Sequence, residues 1–229
     1  MAFIGFDVYG TLVDPLGMER PLLAHVGQQA LKFAAAWREH QLNSAFRRAL
    51  MRRYADFDVV TRESLQFTAR LLGVTLSKAT EDELVAAYLE LPAFADAREG
   101  LAGLAEAGHK LVAFSNGVEP SLRKLLENAR LLPLLSDVVS VNDVRTYKPD
   151  PAVYQLLLTR GGVAADQTWL VSSNAWDVLG AKAVGLRAAW VRRSEKTPWE
   201  SWGVGEPDVV VASLAELKSR IAGVYSARA

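Results

Sequence analysis

The sequence predicts an α/β protein: a doubly wound, parallel, Rossmann-like sheet with an α-helical cap domain inserted after its first strand. Three observations carry this. Residues 3–8 form a short apolar run that ends on Asp7 and is followed by Tyr9-Gly10-Thr11, the pattern of a buried parallel strand with polar chemistry at its C-terminal end. Residues 15–93 then show only helical patterning. From residue 97 onward, short apolar runs alternate with helical segments, which implies a parallel sheet. The 229 residues suffice for one large domain, 1–14 with 96–229, and a smaller inserted one, 15–95.

Each element has its own signal. Strand 3–8 places Asp7 where open α/β sheets bind ligands. In the insertion, one long helix spans about 29–54, and Arg38, Leu42, Ala45 and Ala49 share one face by i, i+3, i+4 spacing. Shorter helices cover about 61–72 and 80–89, separated by Gly73. After the insertion, a helix at 99–107 stops at Gly108 and a strand follows at 110–114. Further helices fall at 120–128, 151–160, 175–184 and 214–222. The second of these is stopped by Gly161-Gly162. Strands fall at 138–141, 168–171, 187–191 and 209–211. The Pro- and Gly-rich stretch 194–207 is a connection.

Composition removes several classes. Half the residues are hydrophobic and 23% are charged, as is ordinary for a globular chain. Lys plus Arg equals Asp plus Glu at 26 each, so no net basic charge attracts nucleic acid or an anionic membrane. Arg47-Arg48 and Arg52-Arg53 lie at helical spacing and read as a solvated face. With no cysteine, disulfides, thiolate zinc sites and a Cys nucleophile are excluded. No apolar stretch is long enough for a bilayer, and residues 1–7 do not read as a signal peptide. The expectation is a cytoplasmic protein. His25, His40 and His109 fall in no cluster and receive no role.

Four polar clusters sit at strand ends: Asp7-Val8-Tyr9-Gly10-Thr11, Ser115-Asn116-Gly117, Tyr147-Lys148-Pro149-Asp150 and Ser172-Ser173-Asn174-Ala175-Trp176-Asp177. Each alone is a weak signal. Parallel strands bring all four to one crevice, with two carboxylates, an ammonium, hydroxyls and amides.

This order of motifs, with a helical insertion directly after the first, resembles the haloacid dehalogenase superfamily over nearly the whole chain. Trp37-Arg38, Arg53-Tyr54-Ala55-Asp56-Phe57, Tyr147-Lys148-Pro149-Asp150-Pro151 and the Ser172–Asp177 cluster resemble its L-2-haloacid dehalogenase branch. Most superfamily members are magnesium-dependent phosphatases with a second Asp two residues after the nucleophile. Here that position is Tyr9. The acidic ligands of the last motif are replaced by Ser173-Asn174, with Asp177 retained. Asp7 and Asp177 beside Lys148 make a poor magnesium site. A halide leaving group needs neither proton nor metal, only an aligned carboxylate and a cradle for the anion. Positioning of this kind can contribute roughly 7–11 kcal/mol.

The resemblance implies metal-independent hydrolysis of a short (S)-2-haloacid to the (R)-2-hydroxy acid, with no cofactor and a small halogenated carboxylic acid as the small-molecule partner. Asp7 is the nucleophile that forms an aspartyl ester. Thr11 fixes its rotamer, unless it only caps the turn. Lys148 pairs with the carboxylates and favours their ionised form. Asp177 activates the water that attacks the Asp7 carbonyl carbon, and Ser172 and Asn174 orient Lys148, Asp177 or that water. Ser115 and Asn116 take the substrate carboxylate with the Val8 and Tyr9 N–H groups. Arg38 receives the halide, assisted by Asn116. A helical Arg is ordinarily solvated, and the Trp37-Arg38 match is what singles it out. Tyr9, Leu42, Phe57, Tyr154 and Trp176 are read as an apolar wall, against the plain alternative of ordinary core. Two positions depart from the branch. Glu39 beside Arg38 is expected to pair with it, and Asp58 makes this part of the cap more polar. Either would suit another carbon–X bond, as in fluoroacetate or azetidine-2-carboxylate. A phosphatase is the remaining alternative. Related dehalogenases suggest a homodimer.

Overall fold

A computed structural model describes residues 1–226. Six strands form one parallel sheet: β1 (Phe3–Phe6), β2 (Lys110–Ser115), β3 (Asp137–Ser140), β4 (Thr168–Ser172), β5 (Arg187–Val191) and β6 (Val209–Val211), in the order β3-β2-β1-β4-β5-β6. The order reverses at β1, between the halves β3-β2 and β4-β5-β6, and this is the switch point at which such sheets bind ligands.

Burial on both faces explains the unbroken apolar character of β1, whose four residues are all buried. Gly5 is required by the helix above it, since a Cβ there would lie 2.8 Å from a Leu157 methyl group. Register levels the strand ends: Phe6 stands opposite Ala113 and Val171. The Asp7 N–H extends the ladder by one bond, to the Val171 carbonyl at 2.9 Å. Asp7, Ser115 and Ser172 therefore emerge at the same edge.

Between β1 and β2 the chain forms α1 (Glu19–Val26), α2 (Ala30–Leu50), α3 (Phe57–Leu71) and α4 (Lys78–Ala87), then α5 (Ala97–Glu106). The rest of the chain supplies α6 (Glu119–Asn128), α7 (Pro151–Gly161), α8 (Ala175–Ala183) and α9 (Leu217–Ser226). Two boundaries in the insertion differ from the sequence expectation. The long helix stops at Leu50, not near 54, because Arg52 takes the left-handed conformation (φ 54°) and closes the last turn. The next helix begins at Phe57, four residues early. Phe57, Val59 and Val60 are weak helix formers, but burial of Phe57 and Val60 overrides propensity.

Two linkers join the insertion to the sheet and pair with each other. Val13 and Ala93 form an antiparallel bridge, with Asp14 N–H to Pro92 O at 2.8 Å and Phe94 N–H to Leu12 O at 3.0 Å. Arg193, just beyond β5, grips both linkers. It forms an ion pair with Asp96 through both terminal nitrogens at 3.2 Å, donates to Thr11 O at 2.7 Å, and lies 3.7 Å over the Phe94 ring. On the far side, Tyr54 donates to Asn142, Tyr147 to the Ala55 carbonyl, and Ser121 to Asp58. These bonds hold α2 and α3 over the strand ends. Among the described residues, no helix is long and apolar enough to cross a membrane.

Candidate active site

Asp7 sits one residue past β1 and is 5% exposed. Its Oδ2 accepts two bonds, from Thr11 Oγ1 at 2.9 Å and Asn174 Nδ2 at 2.8 Å, and its Oδ1 accepts one from Lys148 Nζ at 3.1 Å. A carboxylate has about four lone-pair sites, so Oδ1 keeps one free. Thr11 is itself held, since Ser173 N–H donates to its hydroxyl at 2.9 Å. Ser173 Oγ donates in turn to Gly10 O at 2.5 Å.

Lys148 is fully buried. Its three N–H groups meet three acceptors: Asp7 Oδ1, Asp177 Oδ2 at 2.8 Å and the Phe114 carbonyl at 2.9 Å. The donors are used up, so Lys148 neutralises and positions carboxylates and has nothing left for a ligand. Burial works against its charge, yet Asp177 and Asp7 outweigh it and hold its pKa above the ordinary lysine value. Asp177, fully buried at the start of α8, is pushed the other way from most ion-paired carboxylates. Burial raises its pKa, and the nearby negative charge of Asp7 adds to that against the pull of Lys148. Two carboxylates share one ammonium, so the triad carries an excess negative charge.

Three expectations need correction, and a fourth residue, Asp58, gains a partner. Tyr154 is no part of an apolar wall: it is fully buried, and its hydroxyl contacts Asp177 Oδ1 at 2.8 Å. Gly180 makes room for it, since a Cβ there would lie 2.3 Å from the Tyr154 oxygen. Asn174 orients neither Lys148 nor Asp177. Its Nδ2 bridges Asp7 Oδ2 and Tyr9 O (3.2 Å), and Ser172 Oγ merely accepts the Asn174 N–H at 3.1 Å. Glu39 does not pair with Arg38. One residue is a turn of about 100° on a helix, and Glu39 points to solvent while Arg38 points inward. Asp58 accepts from Ser121 at 2.7 Å and so ties α3 to α6. The Tyr154, Asn174 and Asp58 contacts arise between segments apart in the chain, which spacing alone does not assign, whereas Glu39 is set apart from Arg38 by rotation within α2.

Arg38 reaches in from α2. Its Nη2 donates to Tyr9 O at 3.2 Å and its guanidinium lies 5.5 Å from the Tyr9 ring centroid, while Nη1 is buried without a hydrogen-bond partner. Tyr9 and Phe57 pack ring to ring at 5.9 Å, and Phe57 meets Tyr147 at 6.1 Å. Burial pushes the Tyr9 phenol pKa up, so its hydroxyl stays protonated. Leu42 is half-buried, one turn beyond Arg38. Asn116 Oδ1 accepts the Lys148 N–H at 3.0 Å, and Ser115 Oγ accepts the Gly117 N–H at 3.3 Å. Trp176 is packed edge-on against Phe46 at 5.1 Å. It lines a largely apolar groove of about 550 Å³ with Phe46, Leu50, Leu179 and Trp202, which lies beside the crevice and has none of Asp7, Arg38 or Asn116 in its walls. Sequence reasoning missed Ser173, which fastens the Thr11 hydroxyl, and Arg193, which grips the linkers. Ser173 lies inside a quoted cluster, whereas Arg193 carries no local signal.

Fold and crevice together define the class: a doubly wound α/β protein with a buried carboxylate at its switch point. The model of the haloacid dehalogenase-like hydrolases matches residues 1–185, and the chain belongs to that family. It is 37% identical over 193 residues to (S)-2-haloacid dehalogenase 4A of Burkholderia cepacia, covering 84% of each chain. It is 37% identical over 215 residues to (S)-2-haloacid dehalogenase 1 of Pseudomonas sp. (strain CBS-3), covering 93% of this chain and 92% of that one. The structure superposes on L-2-haloacid dehalogenase from Xanthobacter autotrophicus with TM-score 0.91 at 32% identity, covering 97% of this chain and 99% of that one. A second structure of the Xanthobacter enzyme has chloropropionic acid covalently bound.

Proposed function

We propose that this protein hydrolyses short (S)-2-haloacids to (R)-2-hydroxy acids without a metal. Asp7 Oδ1, through its free lone pair, attacks C2 from the face opposite the halogen. The C–O bond forms as the C–X bond breaks, the configuration inverts, and the halide leaves with the bonding pair toward Arg38 Nη1. Asp177 then takes a proton from water, whose oxygen attacks the Asp7 carbonyl carbon. Collapse breaks the ester C–O bond, the departing alkoxide takes the proton back from Asp177 to leave as the hydroxy acid, and Asp7 gives up the second water proton to return to its carboxylate. Ser115, Asn116 and the Val8 and Tyr9 N–H groups hold the substrate carboxylate. Tyr9, Leu42, Phe57 and Trp176 exclude water. Thr11, Lys148, Asn174 and Tyr154 hold the charged groups in place, and Ser172 fixes Asn174 through its backbone N–H. Residues 15–95 act as a cap domain over the core formed by 1–14 and 96–229.

The observation that carries this reading is Asn174. Its amide N–H sits between Asp7 Oδ2 and Tyr9 O, two oxygens that a magnesium ion serving a phosphatase would draw on. A donor there suits a carboxylate nucleophile that works without a metal and disfavours phosphoryl transfer. Glu39 faces solvent and Asp58 is engaged with Ser121, so neither supports an amine substrate. One relative is a haloacetate dehalogenase of Moraxella, 31% identical, so haloacetates belong in the substrate panel. A homodimer in the cytoplasm is the expected setting, in keeping with the resemblance and the absence of cysteine. Halide release from (S)-2-chloropropionate, measured with chelator present, tests the proposal. Wild type is expected to release chloride and Asp7→Asn none. A folded wild type that releases none across the panel overturns it.

A further inference from the structure

Thr11 is held at both ends. Its hydroxyl touches the nucleophile and its carbonyl touches Arg193. Ser173 N–H donates to the hydroxyl at 2.9 Å, and an ionised Asp7 carboxylate can only accept, so the Thr11 proton points at Asp7 Oδ2, 2.9 Å away. The Thr11 carbonyl accepts from Arg193 Nη2 at 2.7 Å. The next carbonyl, Leu12 O, accepts the Phe94 N–H at 3.0 Å. The loop that follows the nucleophile is thus fastened along its outer edge to the second linker and to Arg193.

Arg193 starts from a fixed edge of the sheet. Arg192 N–H continues the β5–β6 ladder to Val211 O at 2.8 Å. The guanidinium pairs with Asp96 through both terminal nitrogens, and Asp96 is itself fixed by Ser213 Oγ at 3.0 Å and Leu214 N–H at 2.8 Å. The Phe94 ring lies against its face. A planar fork held by an ion pair and a ring has little freedom, so its bond to Thr11 O has a set direction. Trp190 on β5 adds its indole N–H to Ser173 O at 3.2 Å. The same strand end therefore steadies the residue that binds the Thr11 hydroxyl.

We propose that Arg193 is a positioning residue for the nucleophile, acting through Thr11 to fix the orientation of the Asp7 carboxylate. The inference rests on the dehalogenase reading. Asp7 Oδ2 has two donors, Thr11 and Asn174. With the Thr11 loop loosened, Asn174 alone holds Oδ2, the carboxylate turns, and the free lone pair of Oδ1 swings off the line to C2. Misalignment of this kind slows the chemical step far more than it weakens substrate binding.

The test is a double-mutant cycle between Arg193→Ala and Thr11→Ala, with kcat and KM measured for (S)-2-chloropropionate at a temperature where circular dichroism shows every variant folded. With Thr11 in place, Arg193→Ala is expected to lower kcat about tenfold and to leave KM within about threefold. In Thr11→Ala the hydroxyl that transmits the effect is gone, and the same change should cost less than about twofold further. Arg193→Lys keeps a cation beside Phe94 but loses the fork. It should recover part of kcat, and it carries the same cycle if the alanine variant does not fold. Arg187, at the opposite end of β5, forms a comparably buried pair with Asp208, and Arg187→Ala should leave kcat within about twofold. Equal losses in both Thr11 backgrounds, the same loss in Arg187→Ala, a loss confined to KM, or no loss would show that Arg193 only ties the linkers. A wild type that releases no halide overturns the dehalogenase reading and this inference with it, a result distinct from an additive cycle in an active enzyme.

Discussion

Replacing Lys148 by Met is the sharpest perturbation of the site. It keeps the volume and deletes a charge that lies 3.1 Å from Asp7 and 2.8 Å from Asp177. At an effective dielectric of about 20, the gross attractions are about 5 and 6 kcal/mol. Most of that is offset by the cost of burying three charges, and removing one partner of a buried pair typically leaves a net loss of about 3–5 kcal/mol. For a chain of this size that corresponds to a fall in Tm of roughly 10 °C. The pH dependence has a definite sign. In the variant Asp177 loses the cation that opposes its burial, and its folded pKa rises further above the unfolded value. The variant therefore loses stability as pH rises through that window and is least impaired in acid. In the wild type the folded pKa of Lys148 is raised, so its stabilisation is complete below the unfolded value near 10.5 and is lost only above it. Thermal unfolding from pH 4 to 8 should show a gap between the two proteins that widens with pH. Halide release should fall by at least a thousandfold, because the nucleophile is no longer held. A folded variant within 2 °C of wild type at every pH would refute the reasoning.

Two further outcomes follow from the same geometry. Tyr154→Phe removes a hydroxyl that favours the ionised form of Asp177, so the acid limb of the kcat–pH profile should move to higher pH, and an unmoved limb would remove Tyr154 from the site. Arg193→Ala frees Thr11 O and Asp96 together. With side chains 23% and 18% exposed, it should cost about 2 kcal/mol or roughly 5 °C and speed proteolysis in the 91–96 linker, whereas Arg193→Lys should recover part of both.

The sequence by itself determined the α/β class, the place of the insertion and the strand-end clusters. It could do so because a central parallel strand must be apolar throughout, and because polar residues at its C-terminal end have no structural excuse. Asp7, Thr11, Lys148 and Asp177 were legible for that reason. Tertiary structure decided which acceptor each donor meets. Tyr154 reads as an apolar ring in sequence, yet the close packing of α7 on Gly180 turns its hydroxyl onto Asp177. Asn174 reads as orienting Lys148, Asp177 or the attacking water, yet register sets its amide on Asp7. Glu39 reads as a neighbour of Arg38, yet helical rotation separates them. Arg193, 182 residues from Thr11, has no local pattern to mark it. A buried hydrogen bond depends on direction and distance in space, and spacing along the chain specifies those only within a single helix or strand.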